Sequence, residues 1–177
     1  MAYTLQQLSD FEDIRTLKHR YFRAVDTADQ ALLASVLTED VDIHYRGGNY
    51  VVKLTGRDAM VDFIANSFNT GLLAMHHGHL PEITLTGPDT AEGIWALEDI
   101  VIKIPTRENI IGSAIYRDVY RREDGQWKIA RSEYDRVMEY SVPFPEEGKI
   151  LAHYLGKHGR KMEECGDVSQ VLQFDPA

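Results

Sequence analysis

Met75-His76-His77-Gly78-His79-Leu80-Pro81-Glu82-Ile83 sets three histidines within four residues at the entry of an apolar, β-branched run. Histidine takes up and releases a proton near neutral pH without help from its surroundings. Ala74–Leu85 lacks helical apolar spacing and is expected to be a strand, so His76 and Gly78 face one way and His77 and His79 the other. An inward histidine needs a partner for its second ring nitrogen. Asp26 is the candidate, near the C-terminal end of a first helix and following Ala24 and Val25. A carboxylate there opposes the helix dipole, so it needs a reason to be there. Bound to one ring nitrogen of His76, it would fix the tautomer and stabilise the imidazolium formed when the other nitrogen takes a proton. Tyr21 lies five residues before Asp26, about 140° round the helix. The two share no narrow face, but both can line a wide pocket. Tyr45, on a first strand, offers a second phenol. Arg136, an isolated cation among Tyr134, Val137, Met138 and Tyr140, could stabilise a developing anion or a leaving oxygen.

Each of these residues also has a purely structural reading. An inward histidine can be a satisfied core residue. Asp26 can cap the Thr27–Asp29 turn. Strand tyrosines commonly pack with their hydroxyls in water. Arg136 can form a cross-strand ion pair with Asp118 or Asp135. His77 and His79 offer two metal ligands on the opposite face, but no third ligand has fitting spacing, so no metal is expected. No nucleophile elbow, phosphate loop or dinucleotide fingerprint is present. The residue pattern alone supports a pocket with an Asp–His pair and nothing sharper.

The elements that must position these residues follow from periodicity. Ser9-Asp10-Phe11-Glu12 reads as a capping box, and Phe11, Ile14, Leu17, Tyr21 and Val25 carry an amphipathic helix to about Asp26. Ala31–Leu37 reads as a second helix ended by Thr38-Glu39-Asp40. Val41–Arg46 and Tyr50–Leu54 form a hairpin about Gly47-Gly48-Asn49. Thr55-Gly56-Arg57-Asp58 reads as the capping signal of a third helix, which Asn69-Thr70-Gly71 ends. Long strands follow at Ala74–Leu85, Thr90–Pro105, Ile110–Arg122 and Gln126–Tyr140, with a hairpin at Asp124-Gly125 and Trp127 anchoring the last. Lys149–Lys161 is expected to hold one more short helix, and the remainder to be a loose or partner-bound tail. Helices first and strands later indicate an α+β fold, with a strongly curved, mostly antiparallel sheet wrapped over the helices as a cone around an apolar pocket. The expected division is a domain over residues 1–140 and an extension over 141–177. Trp95, Ile100, Ile102, Ile111 and Ile115 cannot all point inward. The outer sheet face therefore needs a cover, either a neighbouring subunit or the extension.

The chain has 177 residues, 44% of them hydrophobic and 27% charged, the balance of an ordinary soluble domain. A net charge of −9 argues against nucleic acid and anionic membranes. No 18-residue apolar run and no basic-then-apolar N-terminus are present, so no membrane span or signal peptide is expected. The single cysteine, Cys165, suits a cytoplasmic location and lies in a polar segment without a catalytic role.

Lys18-His19-Arg20-Tyr21-Phe22-Arg23-Ala24-Val25-Asp26, Met75–Thr84, Trp95-Ala96-Leu97-Glu98-Asp99 and Asp124–Ile129 carry a resemblance. The chain resembles the SnoaL-like branch of the nuclear transport factor 2-like superfamily from about Asp10 to Tyr140. It is nearest in pattern to the bile-acid 7α-dehydratases, and more distantly similar to the scytalone dehydratases and hexachlorocyclohexane dehydrochlorinases. In such dehydratases the first histidine of the His-rich stretch and the aspartate closing Tyr-Phe-Arg-x-x-Asp form the catalytic pair. Here these are His76 and Asp26. The dehydratases' tyrosine falls on Tyr21 and their strand arginine on Arg136, and a tyrosine also stands where Tyr45 does. The resemblance implies a cone-shaped α+β barrel, no cofactor, and a homotrimer, with a dimer as the second choice. The leading expectation for function is a dehydratase-type lyase on a hydrophobic polycyclic or steroid-like substrate, the alternatives being an isomerase, a polyketide cyclase or a noncatalytic small-molecule binding protein. The match weakens from Ser141, where relatives often cover the pocket.

Overall fold

In the computed structural model, which describes residues 2–174, Thr4 caps the first helix. Its hydroxyl accepts from the Gln7 N–H at 3.2 Å, and the Gln7 side chain accepts from the Thr4 N–H at 2.9 Å. This earlier box satisfies the helix's free N–H groups, so α1 runs Leu5–Thr27 and starts more than a turn before Ser9. The expected box at Ser9–Glu12 lies inside the helix. The helix then buries Ile14, Leu17, Tyr21, Phe22 and Val25. α2 follows at Gln30–Val36, with the Asp29 side chain accepting from Leu32 N–H at its start.

Thr38-Glu39-Asp40 does not stop in a loop. It belongs to β1, Leu37–Arg46, which pairs with β2, Tyr50–Thr55. α3, Arg57–Ser67, has no side-chain cap, a departure from the expected signal. Gly56 turns the chain instead, at a φ of +101° that glycine adopts without strain. β3 (Leu72–Leu85), β4 (Thr90–Lys103), β5 (Glu108–Glu123) and β6 (Gln126–Pro143) are the long strands. Beyond them, among the described residues, only Tyr154–His158 (α4) and a turn of 3-10 helix at Met162–Glu164 are helical, rather than all of Lys149–Lys161. The tail also returns to the sheet: β7, Leu172–Phe174, pairs antiparallel with β2.

The seven strands form one sheet in the order β3-β4-β5-β6-β1-β2-β7, antiparallel except where β1 runs beside β6. This is the expected α+β cone, open at its β3 and β7 edges. Register shifts at His79/Glu82 in β3, and at Ser113/Ala114 and Val119/Tyr120 where β5 meets β6, add the local bends that bulges produce. The inner face carries Ala91, Trp95, Leu97, Ala114, Tyr116, Tyr120 and Ile129 against α1. Trp95 therefore points inward, where its indole N–H donates to Tyr120 Oη at 2.8 Å. Of the residues proposed for the outer face, it must be struck out. Ile100, Ile102, Ile111 and Ile115 fall on the alternate, outward positions. No helix among the described residues is long and apolar enough to cross a membrane.

Candidate active site

Between the helices and the inner face lies a cavity of about 540 Å³ whose lining includes Tyr21, Tyr45, Phe63, Phe68, His76, Tyr116, Tyr134 and Arg136. Strand alternation on β3 turns His76 inward. α1 is long enough to bring Asp26, one residue before its last, against that strand. Asp26 Oδ1 lies 2.6 Å from His76 Nδ1, and the His76 backbone N–H donates to Oδ2 at 3.0 Å. Both carboxylate oxygens are thus engaged, and the proton on Nδ1 is directed at Asp26. Nε2 is left as the nitrogen able to accept. These contacts decide against the turn-capping reading of Asp26. They also offset its unfavourable place at the end of the helix.

Phe22 stacks parallel to the His76 ring, with centroids 6.4 Å apart, and Phe68 lies 5.9 Å away. Gly78 makes this approach possible, because a Cβ there would sit 2.3 Å from Phe22 Cε2. His76 is only 12% exposed.

Arg136 lines the same cavity but pairs with neither Asp118 nor Asp135, the two partners considered from sequence. Asp135 faces outward to Arg46 and Arg117. Arg136 instead forms a two-pronged ion pair with Asp99, with Nη2 donating to Oδ2 at 2.8 Å and Nη1 to Oδ1. Its Nε also lies 2.8 Å from Glu139 Oε2. Adjacent-strand reasoning missed Asp99 because the bridge spans three strands. Arg136 on β6 is the partner of Ala114, and Asp99 on β4 is the partner of Gly112 on β5 between them. Gly112 leaves the space that the guanidinium crosses: a Cβ there would lie 2.7 Å from Arg136 Nη1 and 3.1 Å from Asp99 Oδ1. Burial disfavours the Arg136 cation. The Asp99 hydrogen bonds and the neighbouring Tyr50 and Tyr134 more than restore it, so its pKa is raised. The available signal for Asp99 was the inward alternation Trp95, Leu97, Asp99, an acid where the pattern asks for an apolar side chain.

Tyr21 and Tyr45, on different elements, meet hydroxyl to hydroxyl at 2.5 Å. Behind them is a buried polar chain with no role in the sequence reading. Tyr45 Oη lies 3.5 Å from Ser132 Oγ, which donates to Asp118 Oδ1 at 2.7 Å. Asp118 Oδ2 lies 2.7 Å from Lys18 Nζ, and neither of those side chains is exposed. Lys18 sits on the apolar stripe of α1, 3.7 Å above the Tyr116 ring. Burial lowers its pKa and Asp118 opposes that shift without cancelling it. Burial raises the pKa of Tyr21 and Tyr45 well above the ordinary phenol range, so both remain protonated donors at neutral pH. His77 and His79 point away from the cavity, as expected.

A SnoaL-like domain model matches residues 6–133. Among solved structures, a type 2 hexachlorocyclohexane dehydrochlorinase superimposes with a TM-score of 0.73 at 19% identity, covering 84% of this chain and 99% of that one. A candidate scytalone dehydratase from Novosphingobium aromaticivorans gives 0.69 at 23% identity, over 81% of this chain and 97% of its own. A candidate aromatic ring hydroxylase from the same organism gives 0.69 at 23% identity, over 76% and 94%. At these identities the likeness is one of fold.

Proposed function

This chain belongs to the SnoaL-like domain family, and from that premise we propose that it is a cofactor-independent lyase of the dehydratase type, acting on a hydrophobic polycyclic or steroid-like substrate. The observation that carries the reading is the Asp26–His76 pair in an aromatic cavity wall. His76 Nε2 takes a proton from a carbon next to, or conjugated with, a carbonyl. The C–H electron pair becomes the new π bond, and Asp26 stabilises the imidazolium. Tyr21 or Tyr45 donates a hydrogen bond to the oxygen that gains charge. The His76 imidazolium returns its proton to the β-hydroxyl, which leaves as water with the C–O electron pair while Arg136 lies on the same cavity wall, and the neutral base is regenerated. A cavity of about 540 Å³ is in the range of small-molecule sites and has room for a fused-ring skeleton.

One observation favours a second reading. Arg136 is already paired with Asp99 and Glu139, which limits the positive charge it can offer a leaving group. The same base and phenols, with no leaving group, would run an isomerisation or an aldol-type cyclisation. A noncatalytic carrier would have no need of the Asp26–His76 pair. A thermal-shift screen of steroid-like and polyketide-like compounds, followed by product mass analysis of each binder, separates the three. Loss of one water supports the dehydratase. An unchanged mass with a changed chromatographic retention supports isomerisation or cyclisation. Tight binders returned unaltered by the wild-type chain would overturn the enzyme.

A further inference from the structure

We propose that His77, His79 and Glu98 form a site for a divalent transition-metal ion of the zinc class, on the face of the sheet opposite the cavity. The alternation that turns His76 inward turns His77 and His79 outward together. Glu98 is the register partner of His77 on β4, which the linear sequence does not show. One ligand atom from each of the three side chains lies within 4.8 Å of the others. The two imidazole centroids are 6.0 Å apart, and His79 Nε2 is 3.6 Å from Glu98 Oε2. Metal–nitrogen and metal–oxygen bonds of about 2.0–2.2 Å in a tetrahedron place ligand atoms roughly 3.4 Å apart. Closing onto an ion therefore needs shifts of about an ångström. Rotation of exposed side chains supplies these while the paired backbone stays fixed: His79 is 47% exposed and Glu98 62%.

Two imidazoles and one carboxylate suit zinc, cobalt or nickel; magnesium and calcium prefer all-oxygen sets. Three protein ligands leave a coordination position for water, so the site is of the open rather than the closed structural kind. The overall charge of −9 favours cation capture. The plain alternative is a surface His79–Glu98 ion pair with His77 beside it.

Calorimetric titration of the chelator-stripped full-length chain with Zn²⁺ alone tests the proposal, with Mg²⁺ as the control ion. One Zn²⁺ per chain at micromolar affinity, no Mg²⁺ binding, and tetrahedral visible absorption with Co²⁺ are expected. Loss of an outer partner of a ligand typically costs about 10–100-fold in affinity. His77→Ala, His79→Ala and Glu98→Gln should each weaken Zn²⁺ by at least that, with the metal-free melting temperature unchanged. Two controls address Zn²⁺ donors elsewhere, Cys165→Ser with His158→Ala for the tail and His76→Ala for the cavity. Both are expected to bind as the parent does. No binding up to high micromolar Zn²⁺ overturns the proposal. So does binding insensitive to the three outward substitutions, or binding abolished by either control.

Discussion

At the scale of single residues, two side-chain pairs, half-buried Asp26–His76 and fully buried Lys18–Asp118, do different work. Asp26–His76 meets the cavity through His76, and under the proposed mechanism its value is chemical. General acid–base catalysis typically contributes about 10²–10⁴ in rate. His76→Ala and Asp26→Asn are each expected to lower turnover of an identified substrate by about that range, with a melting temperature close to that of the parent. Activity within a few-fold of wild type in His76→Ala would rule the histidine out as the base. Lys18–Asp118 is sealed from solvent on both sides, and its removal should show in stability. Breaking one side of a buried pair costs about 3–5 kcal/mol because the other charge is stranded. Lys18→Met should therefore be strongly destabilising in urea unfolding, and adding Asp118→Asn should recover much of the loss. Equal losses in the single and double variants would contradict the coupling. The two pairs differed in legibility. Asp26 and His76 announce themselves as polar residues at inward positions. Lys18 does so equally, on the stripe of Ile14, Leu17 and Tyr21, but Asp118 lies a hundred residues away and only tertiary packing introduces it.

At the scale of elements, periodicity located every long strand and α1 to α3, and missed what depends on register or on competing caps. Thr4–Gln7 and Ser9–Glu12 both carry box-like spacing, and nothing local says that Asp10 is needed elsewhere. The structure uses Asp10 to tie α1 to the β5–β6 hairpin: its Oδ1 accepts from Arg122 Nη2 at 2.6 Å and Trp127 Nε1 at 3.2 Å. Burial raises the Asp10 pKa, but hydrogen bonds from Gln6, Trp127 and Arg122 outweigh it and the net shift is downward. A carboxyl held low in the folded state contributes stability above its unfolded value, and loses it as the pH falls through the folded one. Asp10→Asn should thus cost about 1–3 kcal/mol at pH 7. The gap from the parent in denaturation midpoints should narrow below about pH 4. A gap independent of pH would show that the charge is not what matters. Gly112 belongs to the same scale, since it lets Arg136 on β6 reach Asp99 on β4 across the strand between. Gly112→Ala should push the guanidinium off Asp99 and cost about 1–3 kcal/mol, the usual range for overpacking. A crystal structure of Gly112→Ala with the bridge intact would count against this role.

At the scale of the whole molecule, the outer sheet face is left with apolar groups that the chain's own helices do not reach. Val137, Met138, Tyr140 and Val142 on β6 are between 39% and 67% exposed, and Ile94 on β4 is 41% exposed. The tail was the other cover considered, but β7 spends its pairing on the β2 edge, and Leu172 lines the cavity rather than this face. We propose that this exposed apolar face is a contact surface, and that its partner is a second copy of the chain. The family resemblance implies a closed homotrimer, and a C2 dimer, the commonest closed assembly, is the second choice. Sedimentation equilibrium at micromolar concentration checks it. Val137→Asp combined with Met138→Lys should shift the chain toward monomer, because charges on a desolvated contact cost more than the apolar area they replace contributes. A chain ending at Pro143 separates sheet from tail: it should remain oligomeric while losing the Leu172 wall of the cavity. A full-length monomer would refute the assembly. Dissociation on removal of the tail alone would move the subunit contact from the sheet face to the segment after Pro143.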